Sequence, residues 1–261
     1  MRATHRTVLG LLVAVLAAVV AGGCGASPTG SEGGSIAEDY SLSGPQDTAQ
    51  FTVGSKDFTE QRVLGQIAVQ ALEAAGADVT DRTNLGDNEA VRQALISRDI
   101  DMYWEYTATA WLVHLAQPDP ISDPQEQYER VAERDLEANG VEWLERAPGN
   151  NTYAIAVSES KREDLGVETI SDLVDLLDER PEEATLCYGN EDDFSSRADG
   201  LPGLEEAYDF EYPEDRQRVV PLESVYENVR RGERCNFGVV FTTNGQNVTL
   251  QFDADGFWGA A

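Results

Sequence analysis

From Phe51 onward the chain switches repeatedly between apolar residues at every second position and apolar residues at every third or fourth. The first period belongs to half-buried strands and the second to amphipathic helices, so a chain that alternates them is held to an α/β fold. Residues 51–55 read as a strand running into a helix. In that helix Asp57 and Glu60 have capping-box spacing, and Val63, Leu64, Ile67, Ala68, Ala71 and Leu72 share one face. Gly76 ends the helix and a strand follows around Val79. Asn88 caps a second helix carrying Val91, Ala94 and Leu95. Ile100, Met102 and Trp104 then alternate with Asp101 and Tyr103 as in a strand. A further helix starts at Pro124 and closes at Asn139-Gly140.

Loop residues around 148–151 precede a second series. It comprises a strand at 153–157, a helix capped by Ser171, a strand at 184–188 and a helix near Leu204. A strand at Val219 and Val220, a helix at 224–231 and a strand at 235–241 complete it. Two α/β series joined by a loop predict two lobes, residues 51–149 and 150–245, with a ligand cleft between them. Residues 246–261 are expected to form a short return segment toward the first lobe.

The beginning of the chain is expected to be a targeting signal. Arg2, His5 and Arg6 precede a ten-residue apolar run at 11–20, too short for a membrane span of about 20 residues. Ala21, Gly22 and Gly23 then lead to Cys24, an arrangement that resembles the lipobox of bacterial lipoproteins. It implies a signal peptide over 1–23, a lipidated Cys24 and an anchor on the outer face of the cell membrane. An ordinary signal peptide that happens to precede a cysteine is the alternative. Residues 24–50, rich in Gly, Ser, Pro and acidic residues, read as a flexible tether.

Loss of Arg2 and Arg6 with the leader leaves 19 − 2 = 17 basic residues against 48 acidic ones, a net charge of −31. Such a chain repels nucleic acid and anionic lipid. In an oxidising compartment Cys187 and Cys235 are expected to form a disulfide, with two buried thiols as the alternative. Past the leader His114 is the sole histidine, and it lies in an apolar run that suits a core position. No HExxH, GxSxG, P-loop or GxGxxG pattern occurs past the leader, so neither a metal nor a cofactor is expected and catalysis is disfavoured. A two-carboxylate hydrolase stays open by counting alone. Lysine is used only at Lys56 and Lys161, and Lys56 falls at a strand-to-helix junction, where ligands bind in open α/β folds.

Five stretches in order carry a family resemblance. They are Gly54-Ser55-Lys56-Asp57-Phe58-Thr59-Glu60-Gln61, residues 99–109 (DIDMYWEYTAT), residues 150–154 (NNTYA), residues 194–204 (FSSRADGLPGL) and residues 241–245 (FTTNG). Together they resemble the glycine betaine, choline and osmoprotectant substrate-binding proteins of ABC transporters, over about residues 51–250. The resemblance implies a two-lobed periplasmic-binding-protein architecture of the type II-like, Venus-flytrap kind, with a membrane permease as partner and no enzymatic activity. By position it implies ligand contacts from Lys56, Tyr106 and Thr109 in the first lobe and from Asn151, Tyr153, Arg197, Tyr226 and Phe241 in the second. These residue types suit a quaternary ammonium, which has no N–H to donate and is held by aromatic faces at roughly 0.5 to 2 kcal/mol per ring. Arg197 and Lys56 would supply charge-assisted donors to a betaine carboxylate.

Departures from the family pattern are Phe241 for tyrosine, Asn244 for aspartate, Trp104 for proline and Asn151 where some relatives carry aspartate. The chain also stops soon after its last motif, so either the return segment is short or the first lobe is incomplete. The competing readings are a receptor of the same fold for an amino acid or polyol, a truncated lipoprotein that binds nothing, and the carboxylate hydrolase.

Overall fold

A computed structural model describes Leu42, residues 48–189 and residues 193–249. The expected leader 1–23, Cys24, nearly all of the tether and the end of the return segment lie outside the described residues. Among the described residues no helix is long and apolar enough to cross a membrane.

Strand β1 (Gln50–Lys56) pairs in parallel with β2 (Asp78–Gly86), Gln50 facing Asp78, and the crossover that parallel pairing needs is helix α1 (Thr59–Ala74). The buried side of α1 is Gln61, Gly65 and Val69, while Val63 and Ile67 are each 54% exposed. The apolar face expected from the sequence is therefore rotated. Gly65 explains the rotation: a Cβ there would lie 2.7 Å from Thr83 Cγ2, so the absent side chain lets the helix backbone settle against the strands. The expected Asp57 cap is not formed, because Phe58 occupies the N-cap position without a side-chain bond. Likewise Asp87, not Asn88, caps α2 (Asn88–Ile96), accepting from Ala90 N–H at 3.0 Å. The expected strand around 100–104 is reduced to one parallel bridge, Val53 to Met102, since only Gly54 N–H to Met102 and two bonds at Asp101 tie it to β1. A helical stretch, Thr107–Thr109 continuing as a π turn over Ala110–His114, follows. Helix α3 (Pro124–Asn139) begins at a proline, is capped by Asp123 and closes at Gly140 with φ 68°. It is fastened to α2 by the buried Arg92–Asp135 ion pair, whose carboxylate also accepts from Trp143 Nε1 and Asn139 Nδ2, both at 2.8 Å.

The second lobe is built on a four-stranded sheet in the order β3-β6-β4-β5, from β3 (Tyr153–Val157), β4 (Leu186–Gly189), β5 (Gln217–Val220) and β6 (Phe237–Phe241). β3 runs antiparallel to β6 with Tyr153 opposite Phe241, and the other pairings are parallel. Alternation sorts β3 between two cores. Tyr153, Ile155 and Val157 join Leu173, Leu186, Leu204 and Phe237 on one face. Ala154 and Ala156 meet Val225, Tyr226 and Val229 of α7 (Leu222–Arg231) on the other. Helices α4 (Glu159–Leu165), which the sequence pattern did not reveal, α5 (Ile170–Glu179) and α6 (Leu201–Tyr208) complete the lobe. The cap of α5 is Thr169 in a reciprocal box with Asp172, two residues before the expected Ser171.

Cys187 of β4 and Cys235, just before β6, are joined by a disulfide across 48 residues. A closed loop of that length gives about 4 kcal/mol by the chain-entropy relation. Urea unfolding of the Cys187→Ala/Cys235→Ala double variant should show a second-lobe loss approaching that figure.

Candidate functional site

The carboxyl end of β1 and the chain after Met102 bring three charged groups into the interior of the first lobe. Lys56, 2% exposed, forms an ion pair with Glu105, itself 5% exposed. Glu105 also accepts from Tyr103 Oη at 2.8 Å and the Tyr106 backbone N–H at 2.7 Å, and His114 Nε2 lies 2.9 Å away. Burial alone raises the pKa of Glu105, but the Lys56 charge, then His114, outweigh it and hold it down to about 2. Burial pushes Lys56 below the ordinary lysine range, opposed by the Glu105 charge.

A row of rings runs from this cluster into the second lobe. Tyr106 stacks near-parallel on Phe58 (6.2 Å, 21°), Phe58 on Phe241 (5.8 Å, 19°), and Phe241 on Tyr153 (5.4 Å, 26°). Phe194 meets Tyr153 edge-on at 5.2 Å. The step from Phe58 to Phe241 crosses between the lobes. Each end of the row carries a cation of the protein. Lys56 Nζ is 5.1 Å from the Tyr106 centroid and the Arg197 guanidinium is 5.6 Å from that of Tyr153. Arg197 is gripped by Asp199 through two bonds of 2.7 Å and donates to Thr109 Oγ1 of the other lobe at 3.0 Å. Its turn is tight: a Cβ at Gly200 would fall 2.1 Å from Phe194 O.

Glu60, in the first turn of α1, sits beside the row. It accepts from Tyr106 Oη (2.5 Å), from Asn151 Nδ2 (2.9 Å) and from Thr243 Oγ1, the last two belonging to the second lobe. Burial, then the bond to Glu60, raises the Tyr106 hydroxyl pKa, so the phenol stays protonated and donating. Gln61, fully buried on α1, has neither amide atom hydrogen-bonded. Thr59 to Glu223 (3.0 Å) and Asn88 to Asp193 (3.2 Å) add two more bonds across the seam.

Of the eight ligand residues expected from the sequence, Lys56, Tyr106, Thr109, Asn151, Tyr153, Arg197 and Phe241 come together at this seam. Tyr226 is placed differently. It is completely buried among Ala154, Ala156, Val225 and Val229, and its hydroxyl accepts the Phe241 N–H at 3.1 Å, so it supports the row from behind. Phe58 and Glu60 were not anticipated as site residues, although they stand two and four positions after Lys56 in the first motif. The two cations expected to receive a ligand carboxylate are each already matched by a carboxylate of their own lobe. An open cleft of about 410 Å³ lies next to Arg197, between Leu112, Val113 and Pro118 on one side and Ser196 and Ala198 on the other. Among the described residues no group of three or more His, Cys, Asp or Glu side chains is arranged to hold a metal ion.

Two α/β lobes meeting at a shared aromatic row give the two-lobed architecture of the periplasmic-binding-protein fold class. The chain belongs to the family described as the substrate binding domain of ABC-type glycine betaine transport systems, which it matches over residues 49–254. It is 37% identical over 177 residues to a glycine-betaine-binding protein of Pseudomonas aeruginosa, covering 67% of this chain and 56% of that one. It is 35% identical over 212 residues to the glycine betaine-binding protein YehZ of Escherichia coli, covering 81% and 66% respectively. The solved structure of apo YehZ superposes with a TM-score of 0.55 at 30% identity, over 78% of this chain and 73% of that one. The chain thus spans between about half and two thirds of the lengths of these curated relatives.

The Glu105 pairing predicts an acid limit. Because its folded pKa lies below the ordinary glutamate value, its stabilisation is complete above about pH 4.5 and is lost as pH falls toward 2, by about 3 kcal/mol. Thermal melts between pH 5 and 2 should show this. Glu105→Gln should flatten that acid dependence and lower stability by about 3 to 5 kcal/mol at neutral pH, since Lys56 is left buried without a counter-charge.

Proposed function

We propose that this chain is the solute-binding subunit of an ABC importer and that it holds a quaternary-ammonium osmoprotectant, such as glycine betaine or choline, in the aromatic row between its lobes. The observation that carries this reading is the near-parallel row Tyr106, Phe58, Phe241 and Tyr153, contributed by both lobes. A methylated ammonium cannot be hydrogen-bonded through nitrogen, and ring faces are its natural host. With Phe58 and Phe241 centroids 5.8 Å apart, a nitrogen midway would lie about 3 Å from each ring, inside ordinary carbon contact distances. Capture therefore separates these two rings by a hinge motion of the lobes, after which closure regains the Glu60, Thr59 and Arg197 bonds across the seam. Lys56, Arg197 and Thr109 fix the ends of the row, and Tyr226 sets Phe241.

In this reading residues 51–149 and 150–245 are the two lobes, and the closed form docks on a membrane permease. Cys24 carries a lipid that tethers the protein to the outer face of the membrane. The relatives named for glycine betaine binding support the ligand class. Titration calorimetry should give micromolar affinity, about −8 kcal/mol, for at least one quaternary amine. Phe58→Leu and Phe241→Leu should each weaken it about tenfold, within the range for one cation–π contact. Each also removes two ring stackings at about 0.5 to 1.5 kcal/mol apiece, so a modest fall in melting temperature with a still cooperative transition should accompany the loss of affinity. Affinity that survives both substitutions would refute the cage.

A further inference from the structure

Two helices begin at the seam, one from each lobe, and each carries a carboxylate in its first turn: Glu60 on α1 and Glu223 on α7. Short paths on both sides make the two carboxylates neighbours. Thr59, next to Glu60, donates to Glu223 at 3.0 Å. Thr243 donates to Glu60, and Gln246, three residues further on, donates to Glu223 at 3.0 Å. Burial, and with it the negative charges of Glu223 and Glu60, pushes the Tyr226 hydroxyl up to about 12, so both charges act on one group from opposite lobes.

No cation answers either carboxylate. Among the described residues every donor to them is neutral: Tyr106, Asn151 and Thr243 for Glu60, Thr59 and Gln246 for Glu223. Elsewhere along the seam the charges offset. Lys56 pairs with Glu105 and Arg197 with Asp199, each within one lobe, and the repulsion of Lys56 by Arg197 opposes its attraction to Asp193. Within its own lobe each glutamate is favoured by the helix N-terminus that carries it. The cost arises only when the lobes meet. Glu223 is exposed and Glu60 half-buried, so dissolved ions reach the pair and screen it.

From this juxtaposition we infer that closure of the lobes responds to ionic strength. Glu60 and Glu223 hold the lobes apart in dilute solution, and rising salt screens them and lets the jaw close. Between about 0.1 and about 1 M salt the screening length falls from about 10 to about 3 Å. A like-charge contact at an exposed site is unfavourable by about as much as an ion pair there is favourable, so closure should gain about twofold to fivefold. The response itself needs no particular solute. Its use to an osmoprotectant receptor, which would capture more readily as salinity rises, rests on the quaternary-amine reading above.

Two measurements on the purified chain at those two sodium chloride concentrations test it. Small-angle X-ray scattering without ligand, extrapolated to zero protein concentration, should give a smaller radius of gyration in the higher salt. Calorimetry with glycine betaine, whose own charges cancel, should give about twofold to fivefold tighter binding there. Sucrose at matched osmolality should reproduce neither change. Glu223→Gln keeps the bonds from Thr59 and Gln246 but removes the charge, so it should be compact and tight-binding in the lower salt and gain little from more. Glu163→Gln, the same change of net charge at an exposed position on α4, should keep the salt response. A radius that does not change with salt overturns the inference, as does a salt response that survives Glu223→Gln or is lost equally in Glu163→Gln. If glycine betaine and choline both fail to bind, the quaternary-amine reading falls while scattering still decides the salt response. Should Glu223→Gln not melt cooperatively, scattering from the unaltered chain in salt and in sucrose decides.

Discussion

An ionised carboxylate in a protein interior is tolerated only when its surroundings replace the water it has lost, and Glu105 lies at the point where that demand shapes the first lobe. Four groups answer it: Lys56 from the end of β1, Tyr103, the Tyr106 backbone, and His114 from the π turn. Satisfying one carboxylate thereby brings the first strand, the chain after Met102 and the turn at 110–114 to a common point. The ring of Tyr106 is oriented by the same cluster, through its backbone bond to Glu105 and the Lys56 ammonium over its face. From Tyr106 the row proceeds to the other lobe. The electrostatics of one lobe's interior thus governs where the aromatic seam begins.

The second lobe places its share of the row by ordinary strand geometry. Tyr153 and Phe241 face each other across the antiparallel pair β3-β6, so one register sets two rings side by side. Tyr226 fixes the end of that pair from the opposite face. The rings of the first lobe sit on the opening turn of a helix and on an irregular stretch, the rings of the second on strands. The row therefore joins a part held by polar bonds to a part held by packing.

Much of this was readable from residues alone. Short apolar runs mark β3 and β6 because each is buried on both faces, and Pro124 and Gly140 bound α3 as their backbone preferences require. The rest depends on tertiary contacts that local pattern does not encode. The turned face of α1 depends on Gly65 meeting Thr83, a tertiary contact that no helical period encodes. The alternation at 100–104 resembled a strand, yet its polar members were drawn into the Asp101 and Glu105 networks. The resemblance places Tyr226 among the ligand contacts by position, whereas its spacing with Leu222, Val225 and Val229 is that of a buried helical stripe. Phe58 and Glu60 carry no separate signal of their place at the ring row, because residues at a helix's first turn have the pattern of a cap.

The contact between Phe58 and Phe241 has a consequence for letting go. Each stacked pair contributes about 0.5 to 1.5 kcal/mol in its own right. On the reading proposed above, a solute that wedged the two rings apart would forfeit that contribution while it stayed, and the rings would recover it when the solute left. The self-adhesion of the jaw would then act as a return spring, lowering every solute's affinity by about twofold to tenfold and giving discharge a downhill component.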